Sequence, residues 1–167
     1  MPAITNDTAL AWAPFACVMA HIVEEFVFPG GFSEWYRRYR PEAAVSFTPR
    51  FAVGINALLV AVCLLIPLQG IGRQGAALWL TVAAVLIANA VFHLRATFRT
   101  REYSPGVVTA TLLYAPLAAY GYGAFVRSGR ASVGTAICAA VLGGSFNFVS
   151  AWLHHRRARR ARAKADA

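Results

Sequence analysis

Acidic residues are scarce in this chain. Asp and Glu number 7 among 167 residues, against 16 Lys and Arg, and the formal net charge is +9. In a soluble protein such an excess would suggest a nucleic-acid partner. We expect no nucleic acid here, because Lys and Arg concentrated in the cytoplasmic loops of a membrane protein explain the charge better.

Cysteines are few, and a basic N-terminal stretch is missing. The three cysteines, Cys17, Cys63 and Cys138, lie far apart in apolar runs. An odd number at this spacing argues against a disulfide framework, a zinc ribbon or a redox motif. Because the first positive charge is Arg37, we expect the first apolar run to be a retained span rather than a cleaved signal peptide.

Long apolar runs are the main feature of the sequence. Hydrophobic residues make up 58% of the chain, and the mean hydropathy is +0.52. The runs are too long and too uniform for a membrane barrel, so they predict an all-α bundle of five transmembrane helices in one domain, residues 1–153. The spans are predicted at about 9–28, 51–69, 76–94, 105–126 and 131–153. Segment 32–50 mixes arginines with aromatic rings and is predicted to lie at the membrane interface, and 154–167 form a basic tail.

The distribution of basic residues predicts the orientation. With five spans, thirteen of the sixteen Lys and Arg fall on the side of the first loop, the third loop and the tail. Because Lys and Arg accumulate on the cytoplasmic side, the N-terminus is expected outside and the C-terminus in the cytoplasm. The lipid bilayer is the expected partner, and a homodimer is left open.

His21, Glu24 and Glu25 lie inside the first predicted span. Their spacing places them on one helical face. Ionisable groups at the centre of a membrane helix cost about 2.5–3.5 kcal/mol each, so they usually mark function. We predict these three residues to be catalytic, since one imidazole and two carboxylates can hold a metal or move protons. Periodicity leaves open whether Glu25 faces this site or the lipid headgroups.

The other predicted spans also place polar residues in the cytoplasmic half of the bilayer. We therefore predict one shared intramembrane site. Its metal ligands are expected among His21, Glu24, Glu25, His93 and His154. Its substrate-binding or supporting residues are expected to be Asn56, Asn89, Tyr103, Thr109 and Asn147. For the asparagines, hydrogen bonding between helices is the alternative interpretation.

The pattern His21-x-x-Glu24-Glu25 in a small multi-span protein resembles the HXXEE family of bacterial membrane proteins. Phe28-Pro29, the Asn89…His93 pair and Tyr103-Ser104-Pro105-Gly106…Thr109 extend the resemblance, which covers most of residues 10–155. It implies a multi-pass protein of the bacterial inner membrane and gives weight to the motif residues and His93. It implies no particular reaction.

Three functions fit these residues. The first is a metal-dependent membrane enzyme, hydrolase-like, in which Zn or Fe acts on a lipophilic substrate and the remaining glutamate is the base. The second is a metal-free acid–base isomerase or cyclase of a lipid-like substrate. The third is a cation or proton carrier or a lipid-binding protein, which the lack of repeat symmetry disfavours.

Overall fold

The computed structural model describes residues 6–146, 148–153, 156 and 159, and throughout this part the chain is helical with no strand. The all-α prediction is therefore confirmed. The helices are α1 Asn6–Phe26, α2 Phe32–Tyr39, α3 Pro49–Gln69, α4 Arg73–Thr100, α5 Val107–Thr109, α6 Ala115–Arg127 and α7 Val133–Gly144. A 3-10 helix, Pro41–Ser46, follows α2, and a π-helical turn, Ala110–Tyr114, joins α5 to α6.

Several helices are long and apolar enough to cross a membrane. Within the described residues there are four such stretches, Asn6–Phe26, Pro49–Gln69, Arg73–Thr100 and Val133–Leu153. They coincide with the first, second, third and fifth predicted spans. A helix of about 20 apolar residues matches the hydrocarbon thickness of a bilayer, so the chain is a helical membrane protein.

The predicted fourth span, 105–126, is not one regular α-helix. The π-helical turn divides the helical run 107–127. Pro116 lies in the first turn of α6 and has no N–H to donate to the carbonyl of Leu112. The backbone before Pro116 therefore cannot keep regular α-helical hydrogen bonds, and it widens into the π turn.

The predicted interfacial segment folds into α2 and the 3-10 helix, and its aromatic face is buried. Phe32, Trp35 and Phe47 are 8%, 3% and 7% exposed. They pack against Ala52 of α3 and Ala96 of α4. Trp35 therefore packs inward, although its arginine-rich surroundings are typical of a headgroup anchor.

α4 is the central helix and contacts α1, α3, α6 and α7. Two glycines allow the last two helices to approach it closely. A Cβ on Gly143 of α7 would lie 2.3 Å from the carbonyl oxygen of Thr81, and one on Gly121 of α6 would lie 2.0 Å from the Trp79 ring. Small residues at such crossings are the usual means of close packing in membranes.

Candidate functional site

The motif residues of α1 point into the protein. His21, Glu24 and Glu25 are 3%, 6% and 6% exposed, and His93 of α4 is 0% exposed. The helical spacing that predicted a shared face is thus present in the structure. Glu25 faces the interior and not the headgroups, which resolves the alternative that periodicity left open.

Glu25 lies between two imidazoles. Its Oε1 atom is 3.3 Å from Nε2 of His21 and 3.1 Å from Nε2 of His93. One potential ligand atom from each of these residues lies within 4.8 Å of the other two. Nε2 of His93 is buried, and its contact with Glu25 lacks the geometry of a regular hydrogen bond. We call His21, Glu25 and His93 the His–Glu–His cluster.

Hydrogen bonds on the far side of each ring orient the two histidines. Nδ1 of His93 lies 2.9 Å from Oγ of Ser104, and Nδ1 of His21 lies 2.9 Å from Oγ1 of Thr109. The Thr109 hydroxyl donates its one hydrogen to Glu24, so it accepts a hydrogen from Nδ1 of His21. Nε2 of His21 then carries a lone pair directed at the cluster, as a metal-binding histidine requires.

Asn89 also contacts the cluster. Its Nδ2 lies 2.9 Å from Nε2 of His21. This amide is placed to donate to the Nε2 lone pair that the tautomer set by Thr109 leaves free, and a metal at Nε2 would replace this hydrogen bond. The contact joins α4 to α1, and Asn89 is therefore both a bond between helices and a neighbour of the cluster.

Glu24 has a different environment. Its Oε1 accepts hydrogen bonds from the Tyr103 hydroxyl at 2.6 Å, Gly106 N–H at 3.1 Å and Val108 N–H at 3.0 Å. Its Oε2 accepts from the N–H of Thr109 at 2.7 Å and from the Thr109 hydroxyl. A carboxylate offers about four lone-pair positions. These donors occupy the carboxylate at the start of α5. The role of Glu24 as a ligand or base stays a prediction.

Gly106 leaves the space that the cluster needs. Its φ is +100°, and an added Cβ would lie 2.7 Å from Cε1 of His21, 2.8 Å from Cε1 of His93 and 3.0 Å from Cγ of Glu25. Both the backbone conformation and the close approach require glycine. The turn that begins α5 therefore fits over the cluster only because this residue has no side chain.

The segment after α1 covers His93. The Phe32 ring centroid lies 5.8 Å from that of His93, and the Trp35 ring stacks on the imidazole at 6.4 Å with an interplanar angle of 21°. This aromatic cover keeps water from one side of the cluster. Electrostatic interactions inside are strengthened as a result.

An apolar cavity adjoins the cluster, and Phe32 of the covering segment also lines it. It has a volume of about 1010 Å³, and His21 and Glu25 are part of its wall. Asn56 lines it as well, but its amide donates to the carbonyl of Ala52 in the same helix at 2.9 Å. Tyr114 lines it too, with its ring centroid 4.8 Å from that of His21.

Sequence reasoning named most of the residues in contact here, but not all of them. Tyr103 and Thr109 hold Glu24, and Asn89 contacts His21. Asn147 and His154 lie outside the described residues, so their predicted roles stay predictions. Gly106 and Tyr114 were missed as site residues. Ser104 was expected among the polar residues at this depth, but no role was predicted for it.

Fold and site together define a helical membrane protein with a buried His–Glu–His cluster beside an apolar cavity. The chain belongs to the family described as proteins of unknown function with an HXXEE motif, whose model matches residues 12–121. The predicted resemblance is thereby confirmed, and the motif itself is His21-x-x-Glu24-Glu25. Comparison with curated proteins and with solved structures gave no match.

Proposed function

We propose that this protein is a membrane enzyme that binds a divalent metal through Nε2 of His21, Oε1 of Glu25 and Nε2 of His93. The observation that carries the proposal is the convergence of these three buried atoms, with Oε1 of Glu25 within 3.3 Å of both imidazole Nε2 atoms. Two histidines and one carboxylate form the ligand set of catalytic zinc sites and of non-haem iron sites. Both leave a coordination position open for substrate.

The contact distances support this ligand set. In a tetrahedral site with bonds of about 2.0–2.1 Å, neighbouring ligand atoms are about 3.3–3.4 Å apart. Oε1 of Glu25 lies 3.3 Å from Nε2 of His21 and 3.1 Å from Nε2 of His93. These distances approach that spacing, and the hydrogen bonds at the two Nδ1 atoms leave the Nε2 atoms directed at the cluster.

The cavity suggests the substrate. Its wall is mostly apolar side chains, and it includes His21 and Glu25. A lipophilic molecule bound there would present its polar end to the cluster. A metal would supply Lewis-acid activation of a carbonyl group or of water. Hydrolase-type chemistry of this kind needs no second carboxylate, which is consistent with the full occupation of Glu24.

A metal-free acid–base enzyme is the second candidate, and one chain of contacts favours it. Glu24, Thr109, His21, Glu25, His93 and Ser104 form a continuous series of polar contacts. Such a series could move a proton to or from a lipid-like substrate in an isomerase or cyclase reaction. In this candidate Glu25 and His93 exchange protons instead of sharing a metal.

The proposal places the site in a five-span protein of the bacterial inner membrane. Helical run 107–127 would be the remaining span, with its π turn inside the bilayer. The strong excess of Lys and Arg in the first loop, third loop and tail supports a cytoplasmic C-terminus. The cluster would then lie in the cytoplasmic half of the membrane.

Elemental analysis of the purified protein tests the metal directly. We expect about one zinc or iron ion per chain in the wild type, because three ligands form one site. Glu25→Gln and His93→Ala should lose it, since each removes a ligand. Glu34→Gln is the matched control, because Glu34 is exposed on α2, and it should retain the metal. His154→Ala belongs in the same series as the test of the predicted fifth ligand.

A folded wild-type protein without metal after expression and purification in zinc- and iron-supplemented buffer would refute the metal proposal. Equal metal content in Glu25→Gln, His93→Ala and the wild type would do the same. Binding of a lipophilic ligand that depends on pH and on Glu25 would then favour the acid–base candidate.

A further inference from the structure

The Tyr114 hydroxyl is a buried donor with no partner. The side chain is 0% exposed, and its hydroxyl makes no hydrogen bond with any described residue. Buried tyrosine hydroxyls normally find a partner, because leaving one unpaired is unfavourable. Tyr114 also lines the cavity, so a molecule bound there is placed to satisfy this hydroxyl.

The π-helical turn places Tyr114 beside the His–Glu–His cluster. Tyr114 is the last residue of that turn, and its ring centroid lies 4.8 Å from that of His21. Single π turns inside α-helices occur frequently at functional sites. The same turn that interrupts the helical run thus directs an aromatic donor to the cavity wall next to the two motif residues.

The surroundings of Tyr114 restrict the chemistry of its partner. The cavity wall next to it includes Val18, Ala115 and Ala118. An anionic group at this position would lose its hydration and would share the cavity wall with the Glu25 carboxylate. A phenol hydroxyl can donate to an uncharged carbonyl oxygen at little desolvation cost.

We propose that the cavity binds a lipophile with an uncharged ester- or ketone-type carbonyl, and that the Tyr114 hydroxyl donates a hydrogen bond to this oxygen. The inference deepens the proposed function, on which it rests for the reactive group at His21 and Glu25. Tyr114 would fix the carbonyl next to the cluster. It would therefore select substrates by the presence of that oxygen.

Tyr122 is the matched control that the chain offers. It lines the same cavity, but its hydroxyl already donates to the carbonyl oxygen of Leu80 at 3.1 Å. Removing the Tyr122 hydroxyl removes a hydrogen bond within the protein, and we expect it to remove no hydrogen bond to a ligand. The two Tyr→Phe variants each remove one hydroxyl from the residues that line this cavity, that of Tyr114 without a partner in the protein and that of Tyr122 with one.

The test uses methyl hexadecanoate, isotope-labelled at the ester carbonyl, added to the whole purified chain in a maltoside detergent that has no carbonyl. Difference infrared spectra should show a bound carbonyl band shifted to lower frequency in the wild type. Tyr114→Phe should abolish the shifted band and weaken binding roughly tenfold, the effect of one lost hydrogen bond. Tyr122→Phe should keep both the band and the affinity.

A wild-type spectrum without the shifted band, or a shifted band that survives Tyr114→Phe, would overturn the inference. So would the same loss in both variants. Metal content measured on the same samples separates the two proposals. A metal-free protein with a Tyr114-dependent band retains the ligand site and loses the metal proposal, and a metal-loaded protein without that band does the reverse.

Discussion

Two adjacent glutamates of α1 have separate tasks. Glu24 binds backbone N–H groups at the start of α5, and Glu25 lies against His21 and His93. Neighbouring residues on a helix point about 100° apart, so one side chain reaches the turn before α5 while the next reaches α4. The HXXEE motif thus combines a carboxylate that anchors the turn before α5 with one that lies between two imidazoles.

The anchoring role of Glu24 predicts the effect of Glu24→Gln. Glutamine keeps the volume but turns one acceptor into a donor facing donors, and it removes the charge at the helix N-terminus. We expect the free energy of unfolding to fall by about 2–4 kcal/mol. The midpoint of thermal unfolding in detergent measures this loss. Glu102→Gln, at an exposed position, should leave the midpoint unchanged, and equal midpoints for both variants would contradict the anchor.

Gly106→Ala should disrupt the His–Glu–His cluster. The new Cβ would press on His21, His93 and Glu25 at 2.7–3.0 Å. Gly129→Ala is a strict control, because Gly129 also has a positive φ, +70°, but has no atom within 4 Å of an added Cβ.

In both variants, backbone strain should lower the free energy of unfolding by about 1–2 kcal/mol. Only Gly106→Ala should lose the bound metal or ligand, measured by elemental analysis and by binding of the labelled ester. Retention of both in Gly106→Ala would show that the cluster tolerates displacement.

Among single residues, the sequence predicted the ionisable ones within apolar helices and missed those of types that are common in such helices. His21, Glu25 and His93 are conspicuous in apolar helices because burying them is costly. Tyr114 lies in an apolar run where an aromatic residue is expected, so nothing distinguishes it. The hydrogen bonds of Glu24 come mainly from backbone groups, which residue types do not reveal.

The helical run 107–127 shows which features of a helix the sequence predicted and which it did not. Its apolar composition predicted a helix of the correct extent, but hydropathy contains no information about hydrogen-bond register. Pro116 was the available signal for the π-helical turn. The covering segment 32–50 was placed at the interface from composition, whereas its inward aromatic face depends on tertiary packing against α4.

The contact of α4 with α7 predicts a difference between two neighbouring glycines. An added Cβ at Gly143 would lie 2.3 Å from the carbonyl oxygen of Thr81 and 2.6 Å from Cβ of Ala84, whereas Gly144 has nothing within 4 Å. Gly143→Ala should therefore push α7 away from α4 and cost about 1–3 kcal/mol.

Both variants gain the higher helix propensity of alanine, but only the new Cβ of Gly143→Ala would collide with α4. Gly144→Ala should therefore be neutral or stabilising. Thermal unfolding in detergent compares the two. Equal stability would mean that the helices separate without cost.

The whole molecule is expected to have its C-terminus in the cytoplasm. Thirteen of the sixteen Lys and Arg lie on that side in a five-span arrangement. A C-terminal fusion to alkaline phosphatase should be inactive, and the same enzyme fused after Gly72 should be active. Activity of the C-terminal fusion would reverse the orientation and the assigned depth of the site.

For the molecule as a whole, the sequence predicted that polar residues of several spans share one region. It did not predict which of them contact each other. Depth follows from the position along each span, so one shared region was expected. Which residues contact each other depends on helix rotation and on the turn before α5. That turn brings Ser104, Gly106 and Thr109 onto α1 and α4, and no single-helix pattern specifies it.

Biogenesis of the molecule is constrained by the partners of Glu24. α1 is synthesised first, and its two carboxylates each add about 2.5–3.5 kcal/mol to the cost of insertion near a bilayer centre. The groups that compensate Glu24 are 79–85 residues further along the chain. We therefore expect stable integration of the first span to depend on synthesis of the segment that carries these partners, because until then the Glu24 carboxylate lacks its hydrogen-bond donors.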